Sequence, residues 1–251
     1  MNILVCVKRV PLTGGKIVLT DDERAISTRH LGFTISPHEE CGCEEAVRLI
    51  ERHGGSSTVL TLGPDEAEEQ LRDMMAIGID RGVHLISDGG EWDPQATASA
   101  IVEAIQAQPE PYDLLLFGNE SADAGNYQVA IRVARKLGLP VVTGVKAITR
   151  QDEHLRCEQE VPGGRDVYEV RMPAVVTVKE GINLPRYPSV PGRLRAKRKP
   201  LESATPHRTD SRLEMVRLTL PPGSGKQAEI LGDGADAAPA VVGVLHDLGL
   251  V

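Results

Sequence analysis

Residues 113–137, DLLLFGNESADAGNYQVAIRVARKL, carry the pattern on which the fold reading rests. The run 113–118 is almost wholly apolar and too short for an ordinary helix, so it reads as a strand buried on both faces. From Asn126 the period changes. Ala130, Val133, Ala134 and Leu137 recur at helical spacing, which predicts an amphipathic helix over 126–137. Between the two lies a small polar loop that delivers the chain into a helix N-terminus. Strand, loop and helix in this order form the repeating unit of a parallel sheet.

The same unit recurs on both sides of this stretch. Residues 3–7 (ILVCV) predict a buried strand, and from Glu40 the residues Cys43, Ala46, Val47 and Ile50 share a helical face that Gly54 and Gly55 close. Residues 57–62 predict a second buried strand. Pro64 and Asp65 open a helix with Leu71, Met74 and Met75 on its apolar side. A short strand at 83–86 precedes a helix that Pro94 starts and Ala98, Ile101, Val102 and Ile105 mark. This alternation predicts an α/β protein with a doubly wound, mostly parallel, Rossmann-like sheet.

Elsewhere the rhythm differs. Residues 8–36 are irregular, with a short hairpin expected around Ile17 to Leu19. After Pro140, residues 145–150, 155–160 and 166–171 read as a small antiparallel ribbon, with Pro162, Gly163 and Gly164 as a turn. Residues 174–178 (AVVTV) then rejoin the main sheet. They lead into a loop where Pro185, Pro188 and Pro191 fix φ, where Tyr187 and Val190 are exposed, and after which Arg193, Arg195, Lys197, Arg198 and Lys199 follow. A stiff loop beside a cationic segment suits a docking device, because preorganisation lowers the entropy cost of binding. An ordinary strand exit with a solvated basic helix is the plainer alternative. Beyond Pro200 the chain is rich in Pro, Gly, Ser and Ala, with order expected only at 213–220 and in a helix at 241–248. A nucleotide-binding-type domain over 1–199 and an extended C-terminal arm over 200–251 are the expected divisions.

Composition narrows the function. Of 251 residues, 41% are hydrophobic but only 3% aromatic, so the core is aliphatic. The formal charge of −8 disfavours bulk nucleic-acid binding despite the basic run. Cys41 and Cys43 follow His38, Glu39 and Glu40, but no second half-site at zinc spacing exists, and a helix start carrying small thiols is the expectation. There is no apolar stretch of bilayer length, and Met1 runs directly into a strand without a charged leader. The reading is a reduced, cytoplasmic, soluble chain.

In open α/β sheets ligands bind beyond the carboxyl ends of the strands. The loops after Val7, Leu62 and Gly118 are therefore expected to converge. The last of them leads into a helix whose backbone N–H groups and dipole favour a phosphate. Gly125 allows close backbone approach, Asp123 suits a ribose or a helix cap, and Gln128 suits phosphate oxygens. A plain helix capped by Asp123 or Asn126 is the alternative. No G-x-G-x-x-G follows the first strand and no phosphate-binding G-x-x-x-x-G-K-[ST] is present; Gly223-Ser224-Gly225-Lys226 resembles part of the latter but lacks a preceding strand. Neither a nucleophile elbow nor paired bases occur. Nucleotide-site features without reaction machinery favour binding or electron relay over bond-breaking catalysis.

The chain resembles the β subunit of electron-transfer flavoproteins over nearly all its length. The opening Ile3-Leu4-Val5-Cys6-Val7-Lys8-Arg9-Val10-Pro11 is similar to that family's first strand, and Pro37 with Glu44-Glu45-Ala46-Val47-Arg48-Leu49 to its first helix. Leu62-Gly63-Pro64, Asp80-Arg81-Gly82 and Asp123 with Gln128 also fit. The most specific match is Pro173-Ala174-Val175-Val176-Thr177 through Asn183, Pro185-Arg186-Tyr187-Pro188-Ser189 and Ala196-Lys197-Arg198-Lys199. The resemblance implies an adenine-nucleotide-binding fold and a heterodimer whose α subunit holds the redox-active FAD, with AMP as a structural nucleotide in this subunit. Carried over by position, nucleotide contacts would come from Cys6, from Ser36, Pro37, His38 and Glu39, from Leu62, and from Asp123, Ala124, Gly125, Asn126, Tyr127, Gln128, Val129, Ala130, Ile131, Arg132, Val133 and Ala134. Tyr187, Pro188, Ser189, Val190, Pro191 and Gly192, within a recognition loop at 185–192, would meet partner proteins, Val190 being the apolar anchor.

The implied role is an electron carrier without bond-making catalysis of its own. It would accept electrons from flavin-dependent dehydrogenases and pass them to a membrane quinone oxidoreductase, while its C-terminal arm embraces the α subunit. Ser36 stands where the family usually has Asn, Ala124 and Gly125 replace acidic residues, and Ala130 replaces a common Gly. Two alternatives therefore stay open: an NADH-dependent, electron-bifurcating relative with a second FAD in this site, and a stand-alone adenine-nucleotide-binding module.

Overall fold

The computed structural model describes residues 1–12, 14, 17–222 and 229–251; the Gly223–Lys226 motif lies outside them. The chain begins with β1 (Asn2–Val7), a two-residue pair β2 (Val10–Pro11) and β3 (Phe33–Thr34), and α1 (Pro37–His53). β4 (Ser56–Gly63), a 3₁₀ turn (Asp65–Ala67), α2 (Glu68–Ile77) and β5 (Arg81–Ile86) follow, then α3 (Pro94–Gln106), β6 (Leu114–Gly118) and α4 (Val129–Leu137). The remainder comprises β7 (Val141–Gln151), β8 (His154–Val161), β9 (Gly164–Arg171), β10 (Ala174–Val178), α5 (Val190–Ala196), β11 (Leu201–Ala204) and α6 (Ala238–Asp247).

The main sheet runs β11-β5-β4-β1-β6-β10-β7-β8-β9. All pairings from β11 to β7 are parallel, and the two beyond β7 are antiparallel. The chain winds outward from β1 through β4 to β5, then crosses back to β6 on the other flank of β1. The fold is thus the α/β, doubly wound sheet that the alternation predicts. Its topological switch point lies between β1 and β6.

Side-chain alternation sorts the core into two layers. Ile3, Val5 and Val7 of β1, with Leu114 and Leu116 of β6 and Ala174, Val176 and Val178 of β10, join the layer beneath α1 and α2. Leu4, Cys6, Leu115, Phe117 and Val175 face the other way, against α3 and α4. Every residue of β10 is buried, as expected for a strand covered on both faces, and each Val so buried contributes about 1.5–3 kcal/mol. Helix starts follow local chemistry: Pro37 and Pro94 occupy first-turn positions, and Asp93 Oδ1 accepts from Ala96 N at 2.7 Å.

Several expectations shift. α4 starts at Val129 rather than 126, because Gly125 (φ 54°) and Tyr127 (φ 56°) hold left-handed backbone that interrupts a helix. Neither Asp123 nor Asn126 is therefore its cap. The antiparallel ribbon extends the main sheet: β7 pairs with β10 at its start and with β8 further on, with a register shift between Val145 and Ala147. The region around residues 17–19 contributes one isolated bridge, Leu19 to Ile26. Residues 213–220 form neither helix nor strand, although Leu218 N donates to Glu23 O at 2.7 Å. Leu201–Ala204, placed by composition in the arm, is the parallel edge strand beside β5. α6 forms close to its expected span and has no buried residue.

Candidate functional site

At the carboxyl ends of β1 and β6 lies a cavity of about 380 Å³ lined by Ser36, Pro37, His38, Glu120, Ser121, Ala122, Asp123, Ala124, Gly125 and Glu180. That volume falls in the range of small-molecule sites. One wall is the first turn of α1. The opposite wall is the loop after β6, and Glu180, just beyond β10, completes the rim.

Short polar links hold the two walls at their spacing. Ser36 Oγ, at the start of α1, accepts from Ala122 N across the cavity at 2.9 Å. Glu39 Oε2 accepts from Ser36 N at 3.3 Å and from Lys8 N at 2.9 Å, tying α1 to the exit of β1. Lys8 Nζ reaches Asp123 Oδ2 at 2.6 Å, so the loops after β1 and β6 meet as an ion pair. Beneath them Thr177 Oγ1 donates to Asn119 Oδ1 at 2.8 Å. Gly118 makes the close approach feasible: a Cβ there would lie 2.7 Å from Glu39 Cγ and 3.2 Å from its backbone N.

The electrostatics follow from burial. Glu39 has almost no contact with water, which pushes its carboxyl up to about 8, and the two backbone donors and Lys8 only partly offset this. Burial also raises Asp123, yet Lys8 outweighs it and holds that carboxyl below its ordinary range. Cys6 and Cys43 are pushed up by burial, so both stay neutral thiols. His38 Nδ1 is buried and has no hydrogen-bond partner. A buried donor or acceptor left so costs about 1–3 kcal/mol, and His38 is among the residues lining the cavity.

Of the residues expected at a nucleotide site, Ser36, Pro37, His38, Asp123, Ala124 and Gly125 line this cavity, and Glu39 braces it from below. Cys6, Ala130, Val133 and Ala134 are buried in the layer under α3 and α4, with Leu62 and Val129 packed against it, so none of these is among the lining residues. The reason is geometric: they lie on the sheet or on the inward face of α4. Ile131 and Tyr127 are exposed, as is Asn126. Gln128 Oε1 accepts from Arg132 Nε at 3.1 Å and Nη2 at 2.8 Å, while Arg132 Nη1 donates to Gln95 Oε1 at 2.8 Å. These last two belong to α4 and its approach, and Arg132 lines a separate cavity with Asp93, Gln95, Arg212 and Leu213. Sequence reasoning missed Glu120, Ser121, Ala122 and Glu180. The strand-end rule would have found Glu180, which lies two residues past β10.

The proline loop sits on the rim leading away from Glu180. Tyr187 is 95% and Val190 74% exposed, with Leu184 and Leu194 exposed beside them. The expected loop at 185–192 is shortened, because α5 begins at Val190, its N-terminus capped by Ser189 Oγ, which accepts from Gly192 N at 3.1 Å. Gly192 packs where a Cβ would come within 2.5 Å of Ala76 O, so it is a packing position on α2 rather than exposed surface. The basic run is likewise partly structural. Arg193 pairs with Asp73, and Lys199 Nζ donates to the carbonyls of Met75, Gly78 and Ile79 at 2.9, 3.3 and 2.7 Å. Arg195, Lys197 and Arg198 remain exposed.

Among the described residues no cluster of His, Cys, Asp or Glu is arranged to hold a metal ion, and all four cysteines are buried and unbridged. Among the same residues no helix is long and apolar enough to cross a membrane.

Comparison with known proteins identifies the family. Residues 25–208 match the family model described as "Electron transfer flavoprotein domain". The chain is 33% identical to the electron transfer flavoprotein subunit beta of Bacillus subtilis over 98% of both chains. It is 36% identical to the subunit beta of Syntrophomonas wolfei over 88% of this chain and 86% of that one, and 31% identical to the mitochondrial subunit beta of Oryza sativa over 88% and 90%. With a family model spanning well over half of the sequence and full-length similarity to its β subunits, the chain belongs to the electron transfer flavoprotein family, on the β-subunit side.

Proposed function

We propose that this chain is the β subunit of a heterodimeric electron carrier, that it holds AMP as a structural nucleotide in the cavity between α1 and the β6 loop, and that it offers Tyr187 and Val190 to electron-donating dehydrogenases. The observation that carries the nucleotide reading is the buried, unpartnered His38 Nδ1 at the wall of a cavity built at the sheet's switch point. Asp123, Glu120 and Glu180 are acceptors suited to ribose hydroxyls. Lys8 and the backbone N–H groups of the loop are the donors and charge available to a phosphate.

FAD, held mainly by the α subunit, supplies the electron-accepting and electron-donating chemistry when bound. This chain's residues do the rest. Ser36, Glu39 and Lys8 fix the two walls of the cavity, and the loop at 184–190 projects an apolar contact toward the donor. α6 carries exposed Val241, Val242 and Val244 and buries none of its residues against this chain, which suits a segment that lies on the α subunit. The pair works in the cytoplasm and delivers electrons to a membrane quinone oxidoreductase, as a carrier without bond-making catalysis of its own.

Co-expression with the α subunit, followed by release and quantification of bound nucleotides, tests this reading. One FAD and one AMP per heterodimer are expected. Two flavins and no AMP would instead assign the cavity to a second FAD and the protein to the NADH-dependent bifurcating type. A stable monomer free of any adenine compound would refute both.

A further inference from the structure

The prolines restrict the loop's internal shape, but they do not fix where it points. Among the described residues, few apolar contacts could do so: Leu184, Tyr187 and Val190 are all exposed. The polar contacts of residues 183–186 converge instead on α1. Asn183 Nδ2 donates to Cys41 O and to Glu45 Oε2, both at 3.0 Å. Arg48 Nη2 donates to Leu184 O at 3.2 Å. Arg186 gives three bonds to Glu44: N and Nε to Oε2 at 3.2 and 2.9 Å, and Nη2 to Oε1 at 3.1 Å. Its two terminal nitrogens also reach Glu51 at 2.7 and 3.0 Å.

Glu44 is the centre of this arrangement. Its side chain is 2% exposed, whereas Glu51 is 56% exposed. A buried carboxylate is costly unless several donors meet it. Arg48 Nε provides one at 2.7 Å, and all the others come from Arg186, 142 residues away in sequence. A guanidinium can serve two carboxylates at once in a fixed plane, which an ammonium cannot. With Arg186 locked from both sides, the next residue, Tyr187, leaves the surface in one direction.

We propose that Glu44 is the positioning residue of the docking loop: through Arg186 it holds residues 184–190 in the single geometry that presents Tyr187 and Val190. This rests on the docking role proposed above. Freed from Glu44, the loop samples other arrangements, and apparent donor affinity falls by the fraction of time it spends in the competent one.

The test uses the intact heterodimer carrying Tyr187→Cys with a nitroxide label; this chain's four native thiols are buried, and the spectrum of an identically treated pair without Tyr187→Cys is subtracted to remove any label on the α subunit. Glu44→Gln and Arg186→Lys are each expected to convert the label from restricted to fast motion. For a flavin-dependent dehydrogenase that reduces the unlabelled wild-type pair, both variants should raise KM roughly tenfold with kcat within about twofold, the effect of a loop competent about one tenth of the time. Nucleotide content, set by the first turn of α1 and the loop after β6, should not change. If Glu44→Gln lowers the yield of folded pair, Glu51→Gln removes the exposed half of the same fork and should mobilise the label to a lesser degree. Unchanged label motion in the folded variants overturns the positioning role. Faster label motion with a KM that neither Glu44→Gln nor Val190→Ala raises supports the clamp and refutes the docking reading instead.

Discussion

Glu39→Gln isolates a carboxyl whose proton balance opposes folding at neutral pH. In the folded chain the group is pushed from an ordinary 4.5 up to about 8. Between those values the folded state keeps a proton that the unfolded state has released, so stability falls as pH rises through the window and levels off above it. At about 1.36 kcal/mol per pH unit, the full span from 4.5 to about 8 is worth on the order of 5 kcal/mol. Gln keeps an acceptor for the N–H groups of Lys8 and Ser36 while carrying no titratable proton, so its profile should lack this slope. Asp123 titrates below the window in both proteins, since Lys8 holds it low, and the Cys6 and Cys43 thiols remain neutral throughout. Calorimetry of the heterodimer in wild-type and Glu39→Gln form from pH 5 to 9 is the assay. The variant should gain on the wild type steadily, by about 10 °C or more in Tm at pH 8.5, using roughly 2–4 °C per kcal/mol for a chain of this size. Parallel curves over the whole range would show that Glu39 is ionised in the folded protein and that its two N–H donors outweigh its burial.

Three further outcomes are expected. Val190→Ala should weaken electron acceptance from the donor by about 1–3 kcal/mol, the scale of one apolar anchor, as seen in KM at unchanged nucleotide content. Lys199→Met removes a cation that satisfies the carbonyls of Met75, Gly78 and Ile79 at the end of α2; unfolding free energy should drop by about 1–3 kcal/mol, and an unchanged value would mean that water replaces it. Gly118→Ala puts a methyl 2.7 Å from Glu39 Cγ, so the start of α1 must move; heterodimer purified with this change should lose most of its bound nucleotide, and full retention would argue against the cavity as the site.

What could be read from the chain was whatever depends on near neighbours. The runs 3–7, 113–118 and 174–178 are strands because every residue in them is apolar or nearly so, and α1 and α3 start where Ser36-Pro37 and Asp93-Pro94 satisfy the first turn. The parallel alternation and the strand-end loops as the place for a ligand follow from such local signals; Ser36 to His38 as cavity lining is implied by the family resemblance, whereas Asp123 and Gly125 are also legible in the loop after Gly118. The family assignment follows from the same motifs.

Tertiary structure decided what hangs on pairing distant residues. That β10 inserts between β6 and β7, which brings Glu180 to the cavity rim, is a matter of strand order and leaves no local trace. The late start of α4 reflects left-handed backbone at Tyr127, a residue type that does not announce it. Leu201–Ala204 belongs to the sheet because β5 offers an unpaired edge, although its neighbourhood in sequence reads as arm. Lys199 and Arg186 look like solvated cations until folding sets one against three carbonyls and the other against a buried carboxylate 142 residues away. Charge and hydrogen bonding act through space, so sequence alone says which groups need partners and only the fold says which partners they get.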